Sequence, residues 1–316
     1  MYSLHFYGQM LADRVRIDAY AAALRQAVKP DSIVLDLGCG PGLFALLACK
    51  LGARRVYAVE PDNVINIARA AAVANGFAER IEFFQSLSTE ITLREPATIM
   101  ISDLRGVLPW FQQHIPAIID ARNRLLTKDA VLIPRRDLLW AALVEATDEY
   151  EKIVGPWEKN QFELDLSAGT ARITNTWRKT HLRAEELLSE PVCWAALHYY
   201  KVSSPDVSAE ISWRAARSGT AHGVAVWFDA DLAEGIGFSN RPGATELIYG
   251  TGFFPFPRPV DVREGERVEV KLRADLVKDD YVWTWETDFA DQKIGFRQST
   301  FYGVALSPEQ LRKNYA

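Results

Sequence analysis

Residues 33–42 read IVLDLGCGPG. Ile33, Val34 and Leu35 form an apolar run of the kind that fills a buried strand of a parallel sheet. Asp36 follows, and then a run of small residues. Gly38, Gly40 and Gly42 bring backbone close to a ligand with no Cβ in the way. LFALLACKLG (43–52) carries helix-forming residues and stops at Gly52. RVYAVE (55–60) is a second strand that ends in an acid. The order is strand, glycine turn, helix, strand, acid. Glu60 lies about 20 residues beyond the glycines, the spacing of an acid that holds a ribose diol.

Two ligand classes compete for such a turn. A dinucleotide site uses GxGxxG, and its third glycine falls here on Leu43, beside Gly42. Asp36 at the strand end is also unsuited to a negatively charged pyrophosphate. It suits a cationic or hydrogen-bond-donating ligand. S-adenosylmethionine has no phosphate, and it carries a sulfonium and an ammonium. The turn therefore favours S-adenosylmethionine over NAD. With this turn the chain resembles the seven-stranded, S-adenosylmethionine-dependent methyltransferases.

The chain has 316 residues, 48% of them hydrophobic, which is enough for two packed units. Its formal net charge of −5 argues against a nucleic-acid binder held by a broad basic surface. Cys39, Cys49 and Cys193 provide neither a disulfide framework nor closely spaced metal ligands. No secretory succession opens the chain, and no stretch reaches transmembrane length without charge. These features predict a soluble, cytoplasmic protein with no membrane partner and no metal.

Residues 1–28 read as an N-terminal helical segment. IEFFQ (81–85) and ATIMISD (97–103) are further strands, and residues 61–77 and 115–129 are helices. Asp36, Glu60 and Asp103 each stand at or near the end of a strand, around one crevice, where open α/β sheets bind ligands. AVLIP (130–134) closes this part, and a domain boundary is placed near Arg135–Arg136. Beyond it, stretches such as GVAVWFDADL (223–232), ERVEVKLRADLV (266–277) and YVWTWETDF (281–289) alternate apolar and polar residues. They predict antiparallel strands with one buried face, and the tryptophans fill the space between layers. FFPFPRPVD (253–261) reads as a rigid hairpin bend or an edge of the acceptor pocket, and SPEQLRKNYA (307–316) as a short polar helix or a frayed end.

Several of these segments resemble the protein arginine N-methyltransferase family. Tyr7-Gly8-Gln9-Met10-Leu11-Ala12-Asp13-Arg14-Val15-Arg16, then Tyr20, matches the family's lid segment, which folds over the cofactor. The resemblance implies that Arg16 pairs with the cofactor's carboxylate and that Met10 approaches the sulfonium. Asp36, with the backbone of Gly38 and Gly40, would hold the amino-acid end. Glu60 would hold the ribose, and Ser88 stands where the family contacts the adenine amine. Ser102-Asp103-Leu104-Arg105-Gly106 matches the family's Ser-Glu-x-x-Gly, whose loop ends in a second glutamate. Those two positions are Asp103 and Gln112 here. Arg105 adds a positive charge beside them, and His114 is a further candidate for acid–base work. Gly237-Phe238-Ser239-Asn240-Arg241-Pro242 resembles the family's Gly-Phe-Ser-x-x-Pro turn. Leu247-Ile248-Tyr249 stands at its Thr-His-Trp, which makes Tyr249 an acceptor-side candidate.

The implied architecture has three parts. Residues 1–28 are a helical lid, 29–135 a Rossmann-like S-adenosylmethionine domain, and 136–316 a β-barrel-like domain. A dimerisation arm spans roughly 150–188, with Trp157, Phe162 and Trp177 as contacts and a homodimer as the partner state. The implied activity is methyl transfer to a nitrogen acceptor. Two alternatives stand beside it: a methyltransferase of the same fold acting on a small molecule, and a non-catalytic, cofactor-binding assembly protein.

Overall fold

The computed structural model describes residues 3–159 and 162–303. Two helices open it, α1 (Leu4–Ala12) and α2 (Arg14–Ala27). The single helical segment expected over 1–28 is thus broken at Asp13. Asp13 sits at φ −71°, ψ 87°, and its carboxylate caps α2 by accepting the Arg16 N–H at 3.1 Å. Its other oxygen accepts the Ile248 N–H at 2.8 Å, which pins the break to the second half of the chain.

The first sheet is parallel. β1 (Ile33–Leu37), β2 (Arg55–Val59), β3 (Ile81–Phe84), β4 (Ala97–Ser102) and β5 (Leu126–Ile133) lie in the order β3-β2-β1-β4-β5. Among the described residues it holds five of the strands expected of a seven-stranded class. Every residue of β1 is buried, because strands pair with it on both edges and helices cover the sheet. α3 (Leu43–Lys50), α4 (Ile65–Ala74) and α5 (His114–Arg124) connect the strands. The helix expected to run to residue 129 stops at Arg124, and residues 126–129 begin β5 instead. As the edge strand of its sheet, β5 tolerates the exposed Lys128 and Asp129. β1 lies between β2 and β4, so the strand order reverses there, and the crevice opens beyond the strands' carboxyl ends.

The parallel sheet ends at Ile133, and β6 (Arg136–Val144) starts the second half, followed by α6 (Thr147–Glu158). Nine further strands are β7 (Arg178–Thr180), β8 (Val192–His198), β9 (Val207–Arg214), β10 (Gly219–Ala233), β11 (Ile236–Ser239), β12 (Thr251–Val262), β13 (Arg267–Val277), β14 (Asp280–Phe289) and β15 (Ile294–Ser299). One antiparallel sheet runs β7-β12-β10-β6-β8, with β11 also on β10. The other runs β15-β14-β13-β9. In β14 buried and more open residues alternate, as its sequence predicts.

Residues 253–261 are not a bend. They belong to β12, which pairs with β7 and β10. Pro257 and Pro259 fit because the pairing with β10 jumps from Gly223↔Pro255 to Ala221↔Val260, which leaves residues 256–259 of β12 without a partner in that ladder. A Cβ on Gly223 would lie 2.3 Å from the Phe254 carbonyl oxygen, so this close approach requires glycine.

Aromatic rings fill the space between the layers. Trp283 meets Trp110, Trp194, Trp177 and Phe254 at centroid distances of 5.3–6.5 Å. Trp177 also stacks on Phe254 at 5.6 Å and 17°, so one side of this half-buried ring packs within its own chain. Trp157 and Phe162 stay on the surface, at 39% and 94% exposure. The expected helix at 307–316 lies outside the described residues. Trp283 joins Trp110 of the parallel-sheet half to three aromatic residues of the other half. Trp283→Ala should therefore cost about 3–5 kcal/mol. A urea titration reads this as a lowered unfolding midpoint.

Candidate functional site

The glycine turn follows β1. Gly42, at φ +86°, needs its missing side chain: a Cβ there would lie 2.6 Å from the Cβ of Ala68 on α4. Gly40 donates its N–H to Glu60 Oε2 at 3.1 Å, and Asp62 donates to Glu60 Oε1 at 3.0 Å. The acid ending β2 is thus bound to the turn that ends β1. Burial raises the Glu60 pKa, and the amides of Asp62 and Gly40 pull it back.

Beneath α1 lies a cavity of about 60 Å³ lined by Met10, Arg16, Asp36, Gly38, Gly40 and Asp103 among others. Tyr7 of α1 covers it, with a ring carbon 3.1 Å from where a Cβ on Gly40 would stand. Two polar atoms of the lining residues are buried with no hydrogen-bond partner. They are Asp36 Oδ2, an acceptor, and Arg16 Nε, a donor. Burial pushes the Asp36 carboxyl up to about 7, the Ala45 amide pulls the other way, and Glu60 and Asp103 add to the rise.

Asp103, one residue past β4, is the centre of a buried charge cluster. Arg16 Nη1 donates to its Oδ2, and Arg16 Nη2 donates to the Met10 carbonyl at 2.7 Å. The Tyr249 hydroxyl lies 2.6 and 2.7 Å from the two Asp103 oxygens. Arg105 Nη1 approaches Asp103 Oδ1 at 3.5 Å. Arg105 grips Asp137 of β6 through Nε and Nη2, both at 3.1 Å, and donates to the Tyr20 hydroxyl at 2.9 Å. Its guanidinium lies over the rings of Phe228 and Phe238 at 5.1 and 5.9 Å. Asp137 also accepts the Tyr199 hydroxyl at 2.5 Å. Burial opposes the Arg16 charge, but Asp103, with Tyr249 and Tyr20, outweighs it and holds Arg16 above the ordinary arginine range.

The structure brings Met10, Arg16, Asp36, Gly38, Gly40 and Asp103 to one cavity, with Tyr249 on Asp103 and Glu60 on the turn. It does not bring Gln112 or Ser88 to the cavity lining. Gln112 is exposed, at φ 44°. The chain folds back ahead of it, with the Phe111 ring against Gly106. Ser88 is buried in a short helical turn, where its carbonyl accepts from Arg124. His114 is also buried, and its Nε2 meets the Tyr199 hydroxyl at 3.0 Å. Burial, with Arg105 adding, lowers its pKa well below the usual histidine range, which leaves it neutral and structural. Sequence reasoning missed Asp13 and Asp137. Asp13 carries a helix-cap signature before an amphipathic run. Asp137 is an acid at a fully buried strand position, a signal only once its arginine partner is known.

Two family models match the chain. Residues 20–127 match that of ribosomal protein L11 methyltransferase, and 135–292 that of the arginine methyltransferase oligomerization subdomain. A protein arginine N-methyltransferase 2 of Mus musculus is 30% identical, over 84% of this chain and 63% of the relative. The chain thus spans about three fifths of that protein's length. An arginine N(omega)-methyltransferase of Streptomyces achromogenes subsp. streptozoticus is 26% identical, over 83% of this chain and 74% of the relative. Among solved structures, a chain of the Trypanosoma brucei PRMT1 enzyme–prozyme heterotetrameric complex with AdoHcy superposes with a TM-score of 0.85. It is 22% identical, with 95% of this chain and 98% of that one covered, which is a likeness of fold.

The buried Asp36 carboxyl destabilises the ligand-free fold when it ionises. Its folded pKa is raised above the unfolded value, so the folded state holds the proton more tightly. Stability contributed by that proton is present at low pH and is lost as pH rises from about 4 to about 7. Asp36→Asn should therefore stabilise the protein at about pH 8, by roughly 3–4 kcal/mol, and the gain should shrink toward about pH 4. Urea midpoints of both proteins at the two pH values check this.

Proposed function

The chain belongs to the protein arginine N-methyltransferase family, and from that membership we propose that it transfers methyl from S-adenosylmethionine to a nitrogen acceptor. The observation that carries this reading is the pair of orphaned atoms, Asp36 Oδ2 and Arg16 Nε, on residues lining one covered cavity. A buried acceptor without a donor and a buried donor without an acceptor are costly unless a ligand supplies both. The amino-acid end of S-adenosylmethionine does so, with its ammonium for Asp36 and its carboxylate for Arg16. The residues therefore fit the group.

When bound, the cofactor supplies a methyl already activated by its sulfonium. The chain's own residues hold and exclude. Glu60, tied to Gly40 and Asp62, keeps lone pairs for the ribose hydroxyls. Tyr7 closes over the turn, and admitting a nucleoside requires its ring to leave Gly40. Met10 gives the transfer region an unbranched, soft wall. Asp103, fixed by Tyr249, orients the acceptor nitrogen and accepts its proton.

The acceptor is a protein side chain or a small molecule. The Streptomyces relative is named for arginine, which supports the second as well as the first. A partner role without turnover is the other reading. It is favoured by Arg16 being already engaged with Asp103, and by a structural neighbour that comes from an enzyme–prozyme complex. Labelled methyl transfer into peptides and a small-molecule extract separates these readings. The arm beginning at α6 presents Trp157, Phe162, Leu164 and Leu166 to solvent, and we assign it to a homodimer contact.

Glu60→Ala should weaken S-adenosylhomocysteine binding by about 1.5–3 kcal/mol with the fold retained. Unchanged affinity in a calorimetric titration would remove Glu60 from the cofactor site. Asp103→Asn should lower turnover about a hundredfold or more in the labelled-methyl assay, and unaltered turnover would remove Asp103 from the acceptor side. The protein should sediment as a dimer. Phe162→Asp with Leu164→Asp should sediment as a monomer, and an unchanged dimer would move the contact elsewhere.

A further inference from the structure

Tyr249 reaches Asp103 from a tight turn over residues 247–250, which Gly250 closes by donating its N–H to the Leu247 carbonyl at 3.2 Å. That bond leaves open the orientation of the turn's central peptide, between Ile248 and Tyr249, which differs from one turn type to another. The orientation decides how the Tyr249 side chain leaves the backbone. Two charged side chains act on residue 248. Asp13 Oδ2 accepts the Ile248 N–H at 2.8 Å, and the Lys179 ammonium donates to the Ile248 carbonyl. That carbonyl belongs to the central peptide itself.

Lys179 stands on β7, inside the segment assigned to the arm, and Gly252 is its partner across the ladder to β12. Its stem lies along the turn, with Cγ and Cε 2.8 and 2.9 Å from where a Cβ on Gly250 would stand. Gly250 is at φ +60°, so a glycine there serves both the turn and the passage of the lysine. Partial burial opposes the ammonium's charge, and Asp13 and Glu246 support it. On its other side the Tyr249 ring stacks on Phe238 at 5.8 Å and 6°, and meets Phe228 edge-on at 5.3 Å. Stacking fixes the plane of the ring and not its depth in that plane. The hydroxyl keeps 2.6 and 2.7 Å to the two Asp103 oxygens only if the turn sets the depth.

We propose that Lys179 is a positioning residue for the acceptor side: by holding the Ile248 carbonyl it keeps the Tyr249 hydroxyl on Asp103. This rests on the reading of Asp103 as the carboxylate that orients the acceptor nitrogen. Lys179 touches no reacting atom and stands outside the lining of the cofactor cavity. Its effect therefore falls on transfer and not on cofactor affinity. No local pattern in Arg178–Thr180 marks it, because only the pairing of β7 with β12 brings it to the turn.

The test uses the full chain carrying fluorotyrosine, with S-adenosylhomocysteine in excess, and Tyr249→Phe to assign the Tyr249 signal in the fluorine NMR spectrum. Lys179→Met keeps the stem and removes the donor, and Lys179→Arg keeps a donor. The Tyr249 signal should shift or broaden in Lys179→Met and hold the wild-type position in Lys179→Arg. A loss of stability alone would not move it in the folded protein. S-adenosylhomocysteine affinity should be the same in all three proteins. Labelled methyl transfer into arginine-rich peptides and a small-molecule extract should fall about tenfold or more in Lys179→Met. The proposal is overturned if Lys179→Met keeps the wild-type Tyr249 signal or rate, if it weakens S-adenosylhomocysteine binding, or if Lys179→Arg loses the signal as Lys179→Met does. A wild type that binds no S-adenosylhomocysteine, or labels neither pool, would instead overturn the reading of function. The Tyr249 signal would still decide the placement by Lys179, so the two failures are distinct.

Discussion

The Asp103 carboxylate and the two guanidinium groups that flank it hold the molecule's parts in register. Arg16 comes from the second helix, Arg105 from the loop after β4, and Asp137 from the first strand of the second half. Asp103 and Asp137 are thus the points where the lid, the parallel sheet and the antiparallel sheets are joined by charge. Buried ion pairs of this kind add little net stability over a well-packed apolar core. Removing one partner, however, leaves a stranded charge at a cost of about 3–5 kcal/mol. Such a network specifies how the parts meet more than it strengthens them. The tryptophan cluster around Trp283 supplies the apolar packing between the same halves.

Against that satisfied network, the cavity beneath α1 stands out for what it leaves unsatisfied. Asp36 Oδ2 and Arg16 Nε are buried without partners in a fold that pairs the other charges around them. Asp36 lies inside β1, flanked by Ala58 and Ile101 in register, so its burial follows from the strand. Residues held at an energetic disadvantage by a rigid scaffold are the kind that proteins retain for ligands. Asp13 extends the same logic to the lid. One carboxylate caps α2 and holds the backbone beside Tyr249, which ties the lid to the acceptor-side tyrosine.

Much of this was legible in the sequence. The apolar run 33–35, the glycines and Glu60 carry strict local constraints, so their reading survives intact into β1, the turn and β2. Met10 and Arg16 were legible only through the resemblance of residues 7–20 to the family's lid segment, since they stand on two helices broken at Asp13. What escaped was set by tertiary context. Residues 253–261 look like a bend by composition and are a strand, because the β10 pairing is interrupted over residues 256–259 of β12, where Pro257 and Pro259 need no donor. Trp177 reads as an arm contact, and its half-buried ring packs on Phe254 and Trp283 of its own chain, which composition alone does not reveal. Gln112 was placed by counting along a motif, yet the loop folds back at Gly106 and leaves it in solvent. Asp137 had no local signature, since only the folded chain brings Arg105 against it.

The central claim is that a zwitterionic amino-acid end completes the buried site. The most direct measurement is a crystal structure of the protein with S-adenosylhomocysteine. The account predicts the ligand's ammonium on Asp36 and its carboxylate on Arg16, with Tyr7 moved off Gly40. Density for the ligand elsewhere, or a site in which Asp36 and Arg16 keep their present surroundings, would contradict it.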